Sequence, residues 1–306
     1  MRLAIAKFRA KRAIARSFDW LGWRPVRSTP VDLRAETGDP IAGSYLVPGR
    51  PFLIDVPLDR CRSREFHLGP DSQHPFVRCV KEIASGISCV EEGSLVRHYA
   101  HNAHISRLRS TAELLGLKDA PGLGRLSSLF AVVKPWEYGD PLKFSSVRQL
   151  SAEVESRDHG TKLDVDSNNG SPGMWKATMN FQRLVKVYHS IQQNGYRRHS
   201  GLDGDIEGYI LINERDWCFV VGCGHHRAAT LAALGYETIP VRVMNHRRTS
   251  VRRAEVDSWP HVRSGLYTRE QALGVFDQIF SGNSSEEAAS PEWKTAENAG
   301  RPALRP

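Results

Sequence analysis

The sequence predicts an α/β (α+β) fold with a mixed sheet and flanking helices, on three observations in its second half. First, an apolar strand at 217–221 runs into a glycine turn, a short helix and a further strand at 238–243. Second, apolar residues recur at helical spacing over 176–194. Third, the strands at 208–213 and 217–221 flank polar turn residues, the pattern of a hairpin. Alternating strands and helices of this kind build a layered unit.

The first half predicts shorter elements that are less sharply defined. Residues 50–57 form an apolar run bounded by prolines, which indicates a strand. Helices are expected over 77–83 and 95–117, the second with Gly116 near its end. Residues 3–21 predict a basic amphipathic helix, because apolar side chains recur near helical spacing and arginines occupy another face.

A polar break at 153–160 marks the expected boundary between the main α/β domain and the region before it. Near the C-terminus, Thr268 and Gln271 have the spacing of a capping box that begins a last helix. The final residues are rich in Ala, Ser, Glu and Pro, a composition typical of disorder. The expected organisation is a basic helical arm at 1–27, a second, less defined α+β region of unknown role at 28–155, the main domain at 156–265, a helix at 266–281 and a disordered tail at 282–306.

Positive charge is concentrated at the N-terminus. The net charge of the 306 residues is +8, and residues 1–27 carry eight basic side chains against one acid. The rest of the chain is therefore almost neutral, which argues against a broad nucleic-acid footprint. A local exception is a cluster of four arginines, Arg247, Arg248, Arg252 and Arg253. This cluster is either a nucleic-acid contact or a solvated helix face.

Cysteine usage and hydropathy predict a cytoplasmic protein with reduced cysteines. The five cysteines are odd in number and form no dense framework. The sequence contains no secretory segment and no apolar run of about 20 residues, the length that spans a bilayer. The arm at 1–27 either docks on a membrane surface or a protein partner, or packs on its own domain. The first alternative would make the protein membrane-peripheral.

A motif between the last two predicted strands contains the candidate binding residues of the chain. Gly222–Thr230 reads Gly-Cys-Gly-His-His-Arg-Ala-Ala-Thr. A helix N-terminus favours an anion through its unpaired N–H groups and its dipole, and the turn brings four residues there, Gly224, His225, His226 and Arg227. A guanidinium and two imidazoles complete an expected seat for phosphate. The plainer alternative is a tight-turn glycine beside a solvated or acid-paired arginine.

The same stretch resembles a known family. Val221–Ala229, followed by Leu234-Gly-Tyr-Glu-Thr-Ile-Pro-Val-Arg-Val243, is similar to the signature of the ParB/sulfiredoxin-like fold, in a bacterial branch of that superfamily. The helix at 183–195 resembles the one that precedes this signature, so that the resemblance covers about 160–245. In that fold a Gly-x-x-Arg turn opens a helix that binds nucleotide phosphates. The resemblance thus implies this fold for the main domain, and a nucleotide (ATP, ADP or CTP) with Mg²⁺ at Gly224–Arg227.

Single positions separate this chain from each subfamily. The reactive cysteine of sulfiredoxins falls at His225, which argues against sulfiredoxin chemistry. Serine-kinase-like members carry Asp-Gly-His-His-Arg, and Cys223 replaces that Asp, which leaves open a chain that binds nucleotide without turning it over. Those kinases also use an acid soon after the first strand, for which Asp166 is the nearest counterpart. Partition proteins continue into a helix-turn-helix region, and no such pattern follows Val243.

The leading expectation is a nucleotide-binding protein that transfers a phosphoryl group to a small hydroxylated molecule. Such a transfer needs phosphate cradling, charge neutralisation and a group that orients or deprotonates the acceptor. Gly224 and the helix N–H groups would cradle the phosphates, and Arg227 would neutralise them. His225 or His226 would contact phosphate or the acceptor. Asp166 is the candidate base, with His226 as the second catalytic candidate.

Two other classes of function stay open. A nucleic-acid protein, either a CTP switch of the partition type or a nuclease, would show a helix-turn-helix or a basic body. Nucleic acid therefore ranks behind a nucleotide as the partner. A non-catalytic accessory protein would dock through 1–27. The pattern Trp259-Pro…Gly265-Leu-Tyr after the main domain resembles chains of bacterial surface-polysaccharide or sugar-modifying systems, and this resemblance implies such metabolism as its setting.

A metal site is a further alternative. His98, His101 and His104 recur every three residues and partly share a helix face. No carboxylate or cysteine completes a recognised ligand pattern with them, so that core-edge histidines are the simpler interpretation.

Overall fold

The computed structural model describes residues 29–63, 66–69, 71–99, 134–138, 173–198, 205–243 and 249–282. The strands, in chain order, are β1 (Val31–Asp32), β2 (Phe52–Pro57), β3 (Cys61–Ser63), β4 (Phe66–His67), β5 (Ile206–Asn213), β6 (Asp216–Cys223), β7 (Thr238–Val243) and β8 (Ser250–Arg252). The helices whose two ends are both described are α1 (Pro40–Leu46), α2 (Pro75–Ala84), α3 (Gly173–Asn194), α4 (His225–Ala233), α5 (Pro260–Arg263) and α6 (Arg269–Ser281). Short 3₁₀ turns lie at Leu58–Arg60, Val90–Glu92 and Arg253–Ser258.

These strands form one mixed sheet in the order β1-β2-β7-β5-β6-β3-β4, with β8 paired to β5. β5 and β6 form the predicted antiparallel hairpin. β5 pairs in parallel with both β7 and β8, and β6 pairs in parallel with β3. The mixed sheet and its flanking helices confirm the predicted α+β class, while the ParB/sulfiredoxin-like arrangement stays a prediction.

The sheet takes strands from both halves of the chain. β1 to β4 come from residues 31–67 and β5 to β8 from 206–252, and β2 lies beside β7 as β3 lies beside β6. The described part of the N-terminal region 28–155 therefore supplies half of the strands of the same sheet. Outside the described residues lie the expected boundary at 153–160, the arm 1–27 and residues 283–306 of the tail.

One face of the sheet is covered by α2, α3 and α4. Side chains alternate along a strand, so that Ile210 and Phe219 point to this face and pack with the helices in one core. We call it the histidine face, after His74, His225 and His226 at the helix starts. It is the face on which the predicted motif lies.

The opposite face is covered by the turn Arg253–Ser258, α5 and α6. Leu211 follows Ile210 and Val220 follows Phe219, so that the side chains of Leu211 and Val220 point to this opposite face and pack here. We call it the aromatic face, because its core contains Trp136, Trp259, Tyr267 and Phe276. The rings of Trp136 and Trp259 meet edge to face, with centroids 5.2 Å apart, and Trp259 stacks on Phe276 at 5.8 Å.

Local signals explain where the helices begin and end. α2 begins after His74, whose Nδ1 accepts the backbone N–H of Phe76, with Pro75 in the first turn. α3 includes the predicted helix 176–194, and Gly195 follows it in the left-handed conformation, with φ 67°. The capping box predicted for the last helix is present at the start of α6.

The elements predicted for the first half are found in part. The run 50–57 forms β2, and the helix predicted over 77–83 is the larger part of α2. Of the helix predicted over 95–117, residues 94–99 are helical and the remainder from residue 100 lies outside the described residues. In the described ranges, no helix has both the length and the apolar character needed to cross a bilayer.

Candidate functional site

The predicted glycine turn lies between β6 and α4. Gly224 occupies the N-cap of α4 with φ 84° and ψ 22°, and supplies no side-chain cap. This left-handed backbone favours glycine, since any Cβ adds strain there. A Cβ on Gly224 would also lie 3.1 Å from Cα of Ile206 and 3.3 Å from Nη2 of Arg227. The left-handed backbone and the closeness of the Ile206 backbone therefore both favour glycine.

Three successive side chains of α4 contact three different parts of the fold. His225 reaches β3, His226 reaches α3, and Arg227 turns back toward the start of β5. Successive helical side chains point about 100° apart, which is why neighbours in the sequence separate in this way. The first turn of α4 is thus tied both to the sheet and to the helix beside it.

Ser63 joins two imidazoles inside the protein. It lies fully buried at the end of β3, beside Val221 of β6. Its Oγ lies 2.8 Å from Nδ1 of His225 and 3.0 Å from Nε2 of His74. His74 is also buried, at the N-cap of α2. Two elements of the N-terminal region therefore hold His225 in place.

A second set of contacts orients His226. Its Nε2 lies 2.9 Å from Oδ1 of Asn180, and Nδ2 of Asn180 donates to the hydroxyl of Tyr99 at 2.6 Å. The ring of His226 stacks on Phe76, with centroids 4.8 Å apart and planes 18° apart. Because Asn180 is buried, these hydrogen bonds are shielded from water. Hydrogen bonding and stacking together fix this imidazole.

Arg227 belongs to a charged group at the start of β5. Its Nη2 donates to the carbonyl oxygen of Asp205 at 3.5 Å, and Nε of Arg198 donates to the carboxylate of Asp205 at 2.5 Å. The Asp205 side chain is 4% exposed, and a carboxylate this deeply buried needs such a partner. One guanidinium pairs with the Asp205 carboxylate and the other with its backbone carbonyl oxygen, so that these three side chains together carry a net positive charge.

The hydroxyl of Tyr196 lies in the field of the same charges. It is buried and has no hydrogen-bond partner among the described residues. Burial raises the pKa of Tyr196, because it disfavours the phenolate; Arg227 and Arg198 oppose this effect and Asp205 adds to it. The hydroxyl therefore keeps a proton that it can donate.

The positive field extends to the edge strand β1. Hydrogen bonds from Arg34 lower the pKa of Asp32 to about 2, and the charge of Arg198 contributes to the lowering. Arg34 donates to the two carboxylate oxygens of Asp32 at 2.8 and 2.6 Å. Both side chains are more than a third exposed, so that solvent screening keeps the contribution of this pair to stability small.

The structure brings four of the predicted site residues into one turn, namely Gly224, His225, His226 and Arg227. Asp166, the predicted base, lies outside the described residues. Cys223, which replaces an aspartate of the resembled motif, is exposed at the end of β6.

The histidine triplet is described only in its first member. His98 meets Tyr99 edge to face, with centroids 5.4 Å apart, while His101 and His104 lie outside the described residues. Across the ranges that the structure describes, no group of three or more His, Cys, Asp or Glu is placed to hold a metal ion.

The sequence alone does not identify the residues that orient the two imidazoles. One usable signal exists: a polar residue followed by proline, as in His74-Pro75, marks a helix start. The tertiary contacts leave no such signal, because Ser63 lies 162 positions from His225 in the sequence and Asn180 lies 46 positions from His226. The residues that this concerns are Ser63, His74, Phe76, Tyr99 and Asn180.

Comparison with protein-family models, with curated proteins and with solved structures finds no match to this chain. The resemblance to ParB/sulfiredoxin-like proteins is therefore neither supported nor opposed by a relative. The function has to be inferred from the geometry of the turn.

Proposed function

We propose that this protein binds a phosphate-bearing ligand, in the first place a nucleotide, at the turn between β6 and α4. The observation that supports this most is the left-handed Gly224 at the N-cap of α4, with the guanidinium of Arg227 against it. A helix N-terminus attracts anions, since its first N–H groups have no intrahelical acceptor and its dipole is positive.

The groups around the turn suit phosphate oxygens. The planar guanidiniums of Arg227 and Arg198 offer several donors each, in a geometry that matches phosphate. The buried hydroxyl of Tyr196 adds a further donor in the same field. The seat is thus positive toward β5, and it is flanked by two oriented imidazoles toward β3 and α3.

Phosphoryl transfer to a small hydroxylated molecule is the reaction that such a seat would serve. The acceptor oxygen would bond to the terminal phosphorus of the nucleotide while the bond to the bridging oxygen breaks, and the nucleotide would leave with one phosphate fewer. Arg227 would neutralise the charge of the transferred group. His226 would take the proton of the acceptor at Nδ1, because its Nε2 donates to Asn180. The resemblance keeps Asp166 as the alternative base.

Mg²⁺ would accompany the nucleotide in this scheme. Mg²⁺ bound with nucleotides is held by one or two carboxylates, by water and by the phosphate oxygens themselves. The ion would help to neutralise the charge of the phosphate oxygens.

Isothermal titration with ATP, ADP and CTP in the presence of MgCl₂ tests the binding proposal. We expect micromolar binding of at least one nucleotide by the wild type. Arg227→Ala should weaken it at least about tenfold, since a hydrogen bond to a charged group contributes about 1.5–3 kcal/mol. Arg253→Ala is the matched control, because Arg253 pairs with Asp277 on the aromatic face, and it should bind as the wild type does.

Each other outcome points to a different function. Binding of CTP alone would favour a switch of the partition type. Equal weakening by Arg227→Ala and Arg253→Ala would place the nucleotide elsewhere. No heat with any nucleotide, from a wild type shown to be folded by circular dichroism, would contradict the proposal and favour an accessory protein that docks through 1–27.

A further inference from the structure

A hydrogen-bonded chain of Ser63, His74 and His225 runs from the start of α2 to the start of α4. We propose that this chain, the serine relay, holds His225 as a neutral imidazole with its proton on Nε2, so that His225 binds a ligand oxyanion as a hydrogen-bond donor and not as a base. Ser63 and His74 are positioning residues, because they act through His225. The donor role rests on the proposed function, whereas the tautomer is a property of the protein alone.

The backbone of α2 fixes the tautomer of His74. Nδ1 of His74 lies 3.0 Å from the backbone nitrogen of Phe76. A backbone N–H can only donate, so that Nδ1 must be the unprotonated nitrogen and the proton of the neutral ring is on Nε2. Protonation of His74 would place a second donor opposite the Phe76 N–H, and the geometry therefore opposes it.

Ser63 transmits this arrangement to His225. Its Oγ accepts the hydrogen bond from Nε2–H of His74 at 3.0 Å. Among the described residues the two rings are the only partners of Oγ, so that its own proton is satisfied only when it is donated to Nδ1 of His225, at 2.8 Å. Ser63 is 0% and His74 3% exposed, so that water cannot replace either partner. A donor or acceptor turned the wrong way would stay unsatisfied, which is costly in the interior.

His225 accepts this hydrogen bond at Nδ1 and therefore carries its own proton on Nε2. A second proton on Nδ1 would face Ser63 and deprive the hydroxyl of its acceptor, so that the relay disfavours the imidazolium. His226 is arranged in the opposite sense, since Nε2 donates to Asn180 and Nδ1 is then the unprotonated nitrogen. The two neighbouring imidazoles thus have different tasks, a donor at His225 and an acceptor at His226.

Long-range ¹H–¹⁵N correlation spectra of the protein with ¹⁵N-labelled histidine test the relay. At pH 8 an ordinary histidine is neutral, and each ring then shows which nitrogen carries the proton. We expect His225 and His74 to be Nε2–H tautomers in the wild type. Spectra of His225→Gln and His74→Asn assign the two rings.

Two variants break the relay in different ways. Ser63→Ala removes the hydroxyl and should convert His225 to a mixture of tautomers. His74→Asn should do the same while α2 stays capped, because asparagine is favoured at N-caps but is too short to reach Ser63. Ser63→Thr keeps a hydroxyl and should restore the Nε2–H tautomer. If Ser63→Ala does not fold, His74→Asn against the wild type gives the same comparison.

Titrations with ATP, ADP and CTP, each with MgCl₂, test the donor role. The two relay-breaking variants should bind the nucleotide about three- to tenfold more weakly, the loss expected for one misplaced hydrogen bond, and Ser63→Thr should bind as the wild type does. Unchanged affinity in both variants would overturn the donor role.

Other outcomes would contradict the proposed tautomer of His225, independently of nucleotide binding. A wild-type His225 with its proton on Nδ1, or an identical His225 tautomer in Ser63→Ala, would overturn the relay. The expected tautomers without binding of any nucleotide would retain the relay and reject the proposed function instead.

Discussion

The two faces of the sheet differ in the polar groups at the centre of each core. On the histidine face, the side chains that orient the imidazoles are hydrogen-bonded, Ser63 to two rings and Asn180 to His226 and a tyrosine. On the aromatic face, Nε1 of Trp259 and Nε2 of His261 are buried with no hydrogen-bond partner among the described residues. Within the described ranges, the histidine face thus has a hydrogen-bonded network around its imidazoles, beside the unpaired hydroxyl of Tyr196, and the aromatic face has apolar area with two unpaired nitrogens.

This difference indicates that one face fixes the orientation of polar side chains while the other contributes most of the stability of the fold. A paired polar network in a low-dielectric interior permits few arrangements, and so fixes where its groups point. Large aromatic side chains bury about 150–250 Å² each and dominate the energetics of a core without fixing a polar direction. Changes on the aromatic face should therefore alter mainly the free energy of unfolding, and changes at the first turn of α4 mainly ligand binding.

The largest expected effect is on the aromatic face. Phe276 is fully buried, stacks on Trp259 and Phe280, and meets Trp136 edge to face. Phe276→Ala should lower the free energy of unfolding by about 3–5 kcal/mol, the loss typical of a buried aromatic ring and its cavity. Urea unfolding followed by circular dichroism measures it. The folded variant should bind nucleotide as the wild type does, because the ring lies on the other side of the sheet.

The control removes a ring that does not contribute to a core. The ring of Tyr45 is 72% exposed, and Tyr45→Ala should change the free energy of unfolding by no more than about 0.5 kcal/mol. A loss of nucleotide affinity in folded Phe276→Ala would show that the two faces are coupled. That result would contradict the division in which the aromatic face governs stability and the first turn of α4 governs ligand binding.

The second prediction concerns Gly224, where a substitution should alter both the free energy of unfolding and nucleotide binding. Gly224→Ala should cost about 1–2 kcal/mol from the left-handed backbone alone, and more because the Cβ would lie 3.1 Å from Cα of Ile206. The same Cβ would push against Arg227, and nucleotide binding should weaken as well. Urea unfolding and isothermal titration measure the two effects.

Gly235 provides the matched control at the other end of α4. Its φ is 78°, close to that of Gly224, but a Cβ at this position would have no neighbouring atom within 4 Å. Gly235→Ala should therefore show the backbone cost and leave nucleotide binding unchanged. If both alanine variants lose affinity equally, the effect comes from the stability of α4 and not from the seat.

Much of the fold follows from local patterns, and this is why the sequence predicts it. The apolar run of β6, the left-handed glycine and the start of α4 are signals within a dozen residues of one another. The hairpin and the capping box are each local patterns as well. The four residues of the turn, Gly224 to Arg227, are for the same reason predicted together.

What surrounds the turn depends on non-local pairing, which one sequence does not reveal. β3 lies beside β6 although the two strands are far apart in the chain, and only this pairing brings Ser63 to His225. The N-terminal region has no recognisable motif, yet it supplies Ser63 and His74, which orient His225, and Phe76, which stacks on His226. The same limit applies to the aromatic face, where Trp136 meets Trp259 through tertiary packing alone.

The smallest expected effect is a pH dependence of stability that comes from the aromatic face. Burial lowers the pKa of His261, because the charged ring loses its hydration. Near pH 6 the unfolded chain then binds more protons at this residue than the folded protein does, so that stability rises with pH. The penalty should appear as the pH falls below about 6.5, the ordinary pKa of histidine, and should level off below the lowered folded-state pKa.

His261→Leu tests this, because it removes the titrating ring and the unpaired Nε2 while it keeps an apolar side chain of similar size. Urea unfolding at pH 8 and pH 5 should show a smaller loss of stability in the variant than in the wild type. His189→Gln, which replaces an exposed histidine of α3, is the control and should keep the wild-type loss. An unchanged loss in His261→Leu would move the origin of the acid sensitivity to the histidine face, where the relay disfavours the imidazolium of His225, and Ser63→Ala would be the variant to reduce it.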